Sequence, residues 1–106
     1  MKTESTIQRE IMIALNGRDD CRVFRNQVGS YKTPDGGFIK YGLGQGSPDL
    51  IGFLKRDNIA VFLGIECKRP GCKPTEAQKR WIKAIQKFGG VAGVATSVDD
   101  ALNIIK

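Results

Sequence analysis

The sequence contains no histidine, and it has only three cysteines. Without histidine there is no Ser-His-Asp or Cys-His nucleophile and no histidine base. A structural zinc site usually takes four Cys or His ligands, and cysteines at positions 21, 67 and 72 do not fit that spacing. Their odd number also argues against a disulfide framework. No apolar run approaches the roughly 20 residues that span a bilayer, so no membrane partner is expected. The opening residues, Met1 to Thr6, are polar and do not resemble a signal peptide, which points to an intracellular, cytoplasmic protein. Acidic residues are the minority: 11 Asp and Glu against 17 Lys and Arg leave a formal charge of +6. That balance favours a polyanionic partner. For catalysis, carboxylates, lysines and a metal remain.

What is present fits one α/β domain over residues 1–106. Glu4 to Leu15 has helical periodicity, with Ile7, Ile11, Ala14 and Leu15 on one face, Thr3 as N-cap and Gly17 as the stop. Cys21 to Val28 alternates weakly and reads as a strand. Gly29 to Ser47 is rich in glycine, with a turn at Pro34-Asp35-Gly36-Gly37 and room for a short hairpin around Phe38–Tyr41. Its Gly42-x-Gly44-x-Gly46 does not open a helix, so the dinucleotide fingerprint fails. Asp49 to Leu54 and Ile59 to Lys68 read as a hairpin, the second strand apolar enough to be buried on both faces. Thr75 to Phe88 predicts a helix with Trp81, Ile82, Ile85 and Phe88 inward, ended by Gly89-Gly90. Val91 to Ala95 is a last strand, and Ser97 caps a closing helix through Ile105.

The chemistry concentrates at Pro48-Asp49, at Glu66-Cys67-Lys68 and at Gln78. Side chains alternate along a strand, so Glu66 and Lys68 share a face and Cys67 points the other way. In a hairpin, Asp49 at the start of one strand would sit beside Glu66 at the end of the next. Two adjacent carboxylates disfavour each other's ionisation, and a hard divalent cation such as Mg²⁺ removes that conflict. The Cys67 backbone carbonyl could be a third protein ligand. Lys68 could hold or deprotonate a metal-bound water, or neutralise charge on a phosphate. The plainer alternative is a surface ion pair, but these charges end a run of buried type, where isolated charge is costly.

Gly46-Ser47-Pro48-Asp49, Ile65-Glu66-Cys67-Lys68 and Thr75-Glu76-Ala77-Gln78 together resemble the PD-(D/E)xK nuclease superfamily. The short form, with the glutamine helix following closely, is similar to its VRR-NUC (virus-type replication-repair nuclease) branch. The resemblance implies a restriction-endonuclease-like core, a mixed β-sheet flanked by helices, into which the order read along the chain, α-β-β-β-α-β-α, fits. It also implies Mg²⁺ or Mn²⁺ dependence and phosphodiester hydrolysis, with Asp49, Glu66 and Lys68 at the centre. Small members of this branch are phage or bacterial proteins associated with branched DNA, including four-way junctions. A DNA-binding module without turnover and a restriction-type nuclease subunit are the alternatives.

Glu4 falls on the apolar face of its helix, where the resemblance makes it a glutamate that reaches the metal; it could equally complement the helix dipole. Thr75 and Gln78 match a capping box, whereas the resemblance puts Gln78 at the site, and the site is favoured on the expectation that one rotamer cannot serve both. Lys32, Lys40, Arg69, Lys73, Lys79 and Lys83 are candidate phosphate contacts, with Tyr31 and Tyr41 available for stacking. A short chain gains burial by association, and a junction has approximate two-fold symmetry, so a homodimer is expected. The closing helix, with Ala101, Leu102, Ile104 and Ile105, and the first helix are candidates for its interface.

Overall fold

A computed structural model describes all 106 residues. Helix α1 (Glu4–Asn16) starts where the Thr3 side chain accepts a hydrogen bond from the Thr6 N–H at 3.1 Å. Its apolar positions recur every three to four residues, and Ile7, Ile11 and Leu15 are buried. Strand β1 (Cys21–Arg25) follows, shorter than the sequence suggests. The glycine-rich segment forms its own two-stranded antiparallel ribbon, β2 (Gly29–Lys32) with β3 (Phe38–Tyr41). Strands β4 (Leu50–Arg56) and β5 (Ile59–Cys67) are an antiparallel pair. Asp57 and Asn58 join them with φ of 51° and 62°, the backbone of a tight two-residue hairpin. Helix α2 (Glu76–Lys87) then carries the chain to β6 (Val91–Ala95), which is parallel to β5. Helix α3 (Val98–Ile104) closes the chain, capped by Ser97.

The main sheet runs β1-β4-β5-β6 and is mixed, as expected. Helices α1 and α3 cover one face. Between them and the sheet lies one apolar cluster containing Ile7, Ile11, Leu15, Val23, Leu50, Leu54, Leu63, Ile65, Ala101 and Ile105. Each large aliphatic side chain in it contributes about 1.5–3 kcal/mol by leaving water. Helix α2 lies against the other face over β5 and β6 only. Three expectations are corrected by this arrangement. Strand β5 is buried only in its second half: Ile59, Ala60 and Phe62 are exposed, and α2 meets Phe62 only across an open cleft lined by Trp81, Ala84 and Ile85. Phe88 is 87% exposed, because the helix ends before it. Ala101 and Ile105 are in the core, so the closing helix has spent its best apolar surface inside. On the sheet, apolar surface is left open over β1, β4 and β5, where Phe24, Phe53 and Phe62 are about half exposed.

Candidate functional site

The site forms where β4 begins, β5 ends and α2 begins. Leu50 is paired with Ile65, so Asp49, one residue earlier, comes beside Glu66. The main chain holds it there: Asp49 Oδ2 accepts from the Cys67 N–H at 3.0 Å. Alternation sends Cys67 into the core, fully buried, and turns Glu66 and Lys68 to the α2 side. Glu66 is 2% exposed. Its Oε2 accepts from Gln78 Nε2 at 2.8 Å and lies 3.9 Å from Lys68 Nζ. Its Oε1 is buried and has no hydrogen-bond partner.

Burial, and next the charge of Asp49, push the Glu66 carboxyl up to about 8; the Lys68 ammonium pulls the other way and does not win. Burial also pushes the Cys67 thiol up to about 12, helped by Asp49, Glu66 and Glu4, so it is no thiolate ligand or nucleophile near neutral pH. The donor set is therefore oxygen. A buried carboxylate oxygen without a partner, beside a second carboxylate, fits a hard divalent cation. No three His, Cys, Asp or Glu side chains are gathered together. The chain would offer Asp49, Glu66 and the Cys67 carbonyl, and water would complete the shell, as suits Mg²⁺.

Gln78 corrects the expectation that its two roles exclude each other. Its Oε1 accepts from the Thr75 N–H at 2.8 Å, completing the capping box, while its Nε2 donates to Glu66. The two ends of one amide serve both. Gln78→Ala should cost roughly 1 kcal/mol of stability through the lost cap, and activity as well. Gln78→Glu keeps the cap acceptor but turns a carboxylate toward Glu66, so it should melt near wild type and lose at least about tenfold in rate, on the scale of a lost charge-matched contact. Wild-type rates for Gln78→Glu would mean the amide matters only to the helix.

Glu4 is not brought into contact with these groups. It is exposed at the first turn of α1, and its charge is felt at the Cys67 thiol. Arg69 and Lys73 are exposed between β5 and α2, Lys79 and Lys83 are exposed on α2, and Lys32 and Lys40 are exposed on the ribbon. Lys79 is paired with Glu76 at 3.3 Å. The largest clefts lie elsewhere, one of about 430 Å³ near Asp20, Arg22 and Lys55.

Sequence reasoning misses Asn26. Its Nδ2 donates to Ser47 Oγ at 2.7 Å and to the Pro48 carbonyl at 2.9 Å, and its N–H donates to the Asp49 carbonyl at 2.9 Å. Ser47 Oγ in turn donates to the Gly44 carbonyl at 2.6 Å. These bonds fix the segment that delivers Asp49. Gly46 has φ +86°, and a Cβ there would come 2.7 Å from the Ala77 Cβ, so the same segment packs tightly on the start of α2. Nothing local marks Asn26, because its side-chain partners are 21 and 22 residues away.

A family model described as VRR-NUC domain matches residues 3–99. A solved structure, described as "VRR_NUC domain protein", is similar over 99% of this chain and 86% of that one, with 24% identity and a TM-score of 0.64. At that identity the likeness speaks for the fold. No curated protein matches the chain. No helix is long and apolar enough to cross a membrane.

Proposed function

The chain belongs to the VRR-NUC domain family, a nuclease-type domain, and from that premise we propose that it is a metal-dependent endonuclease acting on branched DNA such as four-way junctions. One observation carries the reading: the buried Glu66 Oε1 has no partner, while Asp49, Lys68 and Gln78 surround the same carboxyl group. Residues 1–106 act as one nuclease domain in this proposal. Mg²⁺ or Mn²⁺ would be held by Asp49, Glu66 and the Cys67 carbonyl. When bound, the cation supplies Lewis-acid chemistry at a phosphate and charge neutralisation for the two carboxylates.

The remaining work falls to the chain. The Cys67 N–H orients Asp49, and Gln78 Nε2 fixes one oxygen of Glu66, leaving the other free to bind. Lys68, with its side chain only 14% exposed, places an ammonium where negative charge develops on the phosphate. Glu4 supports the site through its charge, from the first turn of α1. Lys32, Lys40, Arg69, Lys73, Lys79 and Lys83, all exposed, are available to take backbone phosphates.

The test is cleavage of linear, flapped, forked and four-way DNA with Mg²⁺, Mn²⁺ or EDTA. Cutting that favours branched substrates and stops in EDTA is expected. No cutting of any of them in either metal would overturn the reading.

A homodimer belongs to the same proposal, since a junction is resolved by two cuts on opposed strands. The open sheet face suits a second copy: Phe24 and Phe53 lie with ring centroids 6.2 Å apart, and Phe62 is paired with Phe53. Light scattering at micromolar concentration should give about twice the chain mass of 11.6 kDa, falling to the single mass in Phe53→Lys. A wild-type monomer that still cuts both strands at matched rates would refute it.

A further inference from the structure

The β2–β3 ribbon has no core beneath it. None of its strand residues is buried, and Tyr31, Phe38, Ile39 and Tyr41 are 45% to 69% exposed. An isolated two-stranded hairpin is marginal in water, so large side chains displayed on one call for a partner. The register sorts them by face. Tyr31 is paired with Ile39 and Gly29 with Tyr41, so alternation puts these four on one side. Ser30, Lys32, Phe38 and Lys40 are on the other. A Cβ at Gly29 would come 2.7 Å from Tyr41 Cζ, so the Tyr41 ring occupies the space that glycine leaves and lies along the ribbon backbone. About half of the residue stays open. Beside it is a cleft of about 230 Å³, lined by Val28, Gly29, Ser30, Lys40, Tyr41 and Gly42 among others.

Charge selects the kind of partner. The two strands carry Lys32 and Lys40 and no carboxylate. The ribbon's acid, Asp35, is in the turn, where it accepts from Thr33 Oγ1 and the Gly37 N–H. Two ribbons set lysine face to lysine face would oppose like charges, whereas a polyanion complements them. Position selects further. The ribbon leaves β1 at Asn26 and returns through Ser47 and Pro48, the residues bonded to each other just before Asp49. The ribbon is therefore anchored to the segment that delivers Asp49.

We propose that the ribbon binds unpaired nucleotides of DNA at a branch or strand end, with bases stacked on the face of Tyr41 and Tyr31 and the backbone following the ribbon's edge, where Lys40 and Lys32 reach round from the opposite face to its phosphates. The identity of the polymer rests on the nuclease reading above. An aromatic face can be stacked only by a base whose own face is free, so the ribbon distinguishes unpaired, unstacked nucleotides from the interior of a duplex.

Binding is measured by fluorescence anisotropy in EDTA, with a single-stranded flap and a blunt duplex of equal length. Stacking is read from quenching of a 2-aminopurine placed in the flap. The double variant Tyr31→Ala, Tyr41→Ala should lose roughly tenfold or more in flap affinity and most of the quenching, with duplex affinity unchanged within about twofold. Tyr41→Phe keeps the ring and should keep wild-type affinity. Gly29→Ala, which displaces the ring without removing it, should weaken the flap alone. Equal losses on both DNAs, or no loss on the flap, would overturn the proposal. So would a fall in sedimenting mass for the alanine variant, which would make the ribbon a contact between copies. Cleavage is read separately. A wild type that stacks the flap on these tyrosines but never cuts leaves the ribbon standing and removes the nuclease. A wild type that cuts, with the same flap preference as the double variant, does the reverse.

Discussion

Asp49→Asn and Glu66→Gln are each expected to lower the cleavage rate by at least about 10²–10³-fold, the range for losing one group that stabilises developing charge. The replacements are close in shape, which isolates charge from packing. An asparagine at 49 can still accept from the Cys67 N–H that holds the native side chain. A glutamine at 66 keeps an oxygen to accept from Gln78 Nε2. The fold should therefore survive, and so should DNA binding in Ca²⁺, a cation with looser geometry than Mg²⁺. Lys68 remains beside the altered group, so the loss cannot be assigned to a missing ammonium. Both rates are measured on one branched substrate in Mg²⁺, beside thermal melts. Full cleavage by Glu66→Gln would end the assignment of Glu66 as a metal ligand.

The second large effect is in stability against pH. The folded Glu66 carboxyl sits at about 8, while its ordinary value is 4.5. Between those values the folded protein keeps a proton that the unfolded chain has released. Stability falls with pH wherever the native state binds more protons, so the metal-free protein should lose stability as pH rises from about 4.5 to about 8. The slope from this one group can reach about 1.4 kcal/mol per pH unit. For a domain near this size, each kcal/mol shifts Tm by about 4–8 °C. Glu66→Gln removes the titration, so the Tm of wild type minus that of the variant, in EDTA, should decline across this window. Mg²⁺ should raise the wild-type Tm most at the alkaline end, where no proton must be displaced, and should leave Glu66→Gln nearly unmoved. A difference independent of pH would mean that Glu66 ionises as an ordinary surface carboxylate.

The elements set by local rules were legible in the sequence. Thr3, Thr75 and Ser97 announce three helix starts because a capping bond spans only a few residues. The β4–β5 pair was readable because its turn is short, and pairing then brings Asp49 to Glu66. What stayed hidden depends on distant partners. An apolar run like Ile59–Lys68 does not reveal that α2 covers only part of it. Phe88 continues the helical period, yet the chain turns away before it can pack. Gln78 was a question of which amide end faces where, and no spacing rule contains that. The open face at Phe24, Phe53 and Phe62 emerges only once three strands lie side by side.

Arg25 and Leu50 are partners across the β1–β4 ladder, and the Asn26 N–H extends the pairing to Asp49. Everything from the end of β1 to the start of β4 thus departs from and comes back to a single point on the sheet. Apart from the ends that hold Asp49, with Asn26 bonded to Ser47 and Pro48 and Gly46 packed on Ala77, the ribbon within this excursion is a replaceable cassette. Closing a loop costs only about 0.6 kcal/mol more for each doubling of its length, so the sheet is nearly indifferent to the ribbon's length. Of the two carboxylates, Asp49 stands at the excursion's return and Glu66 on β5, the strand paired with β4. In the reading proposed above, chemistry and substrate choice are consequently separable: the ribbon can be lengthened or shortened while Asp49 and Glu66 keep their places beside each other.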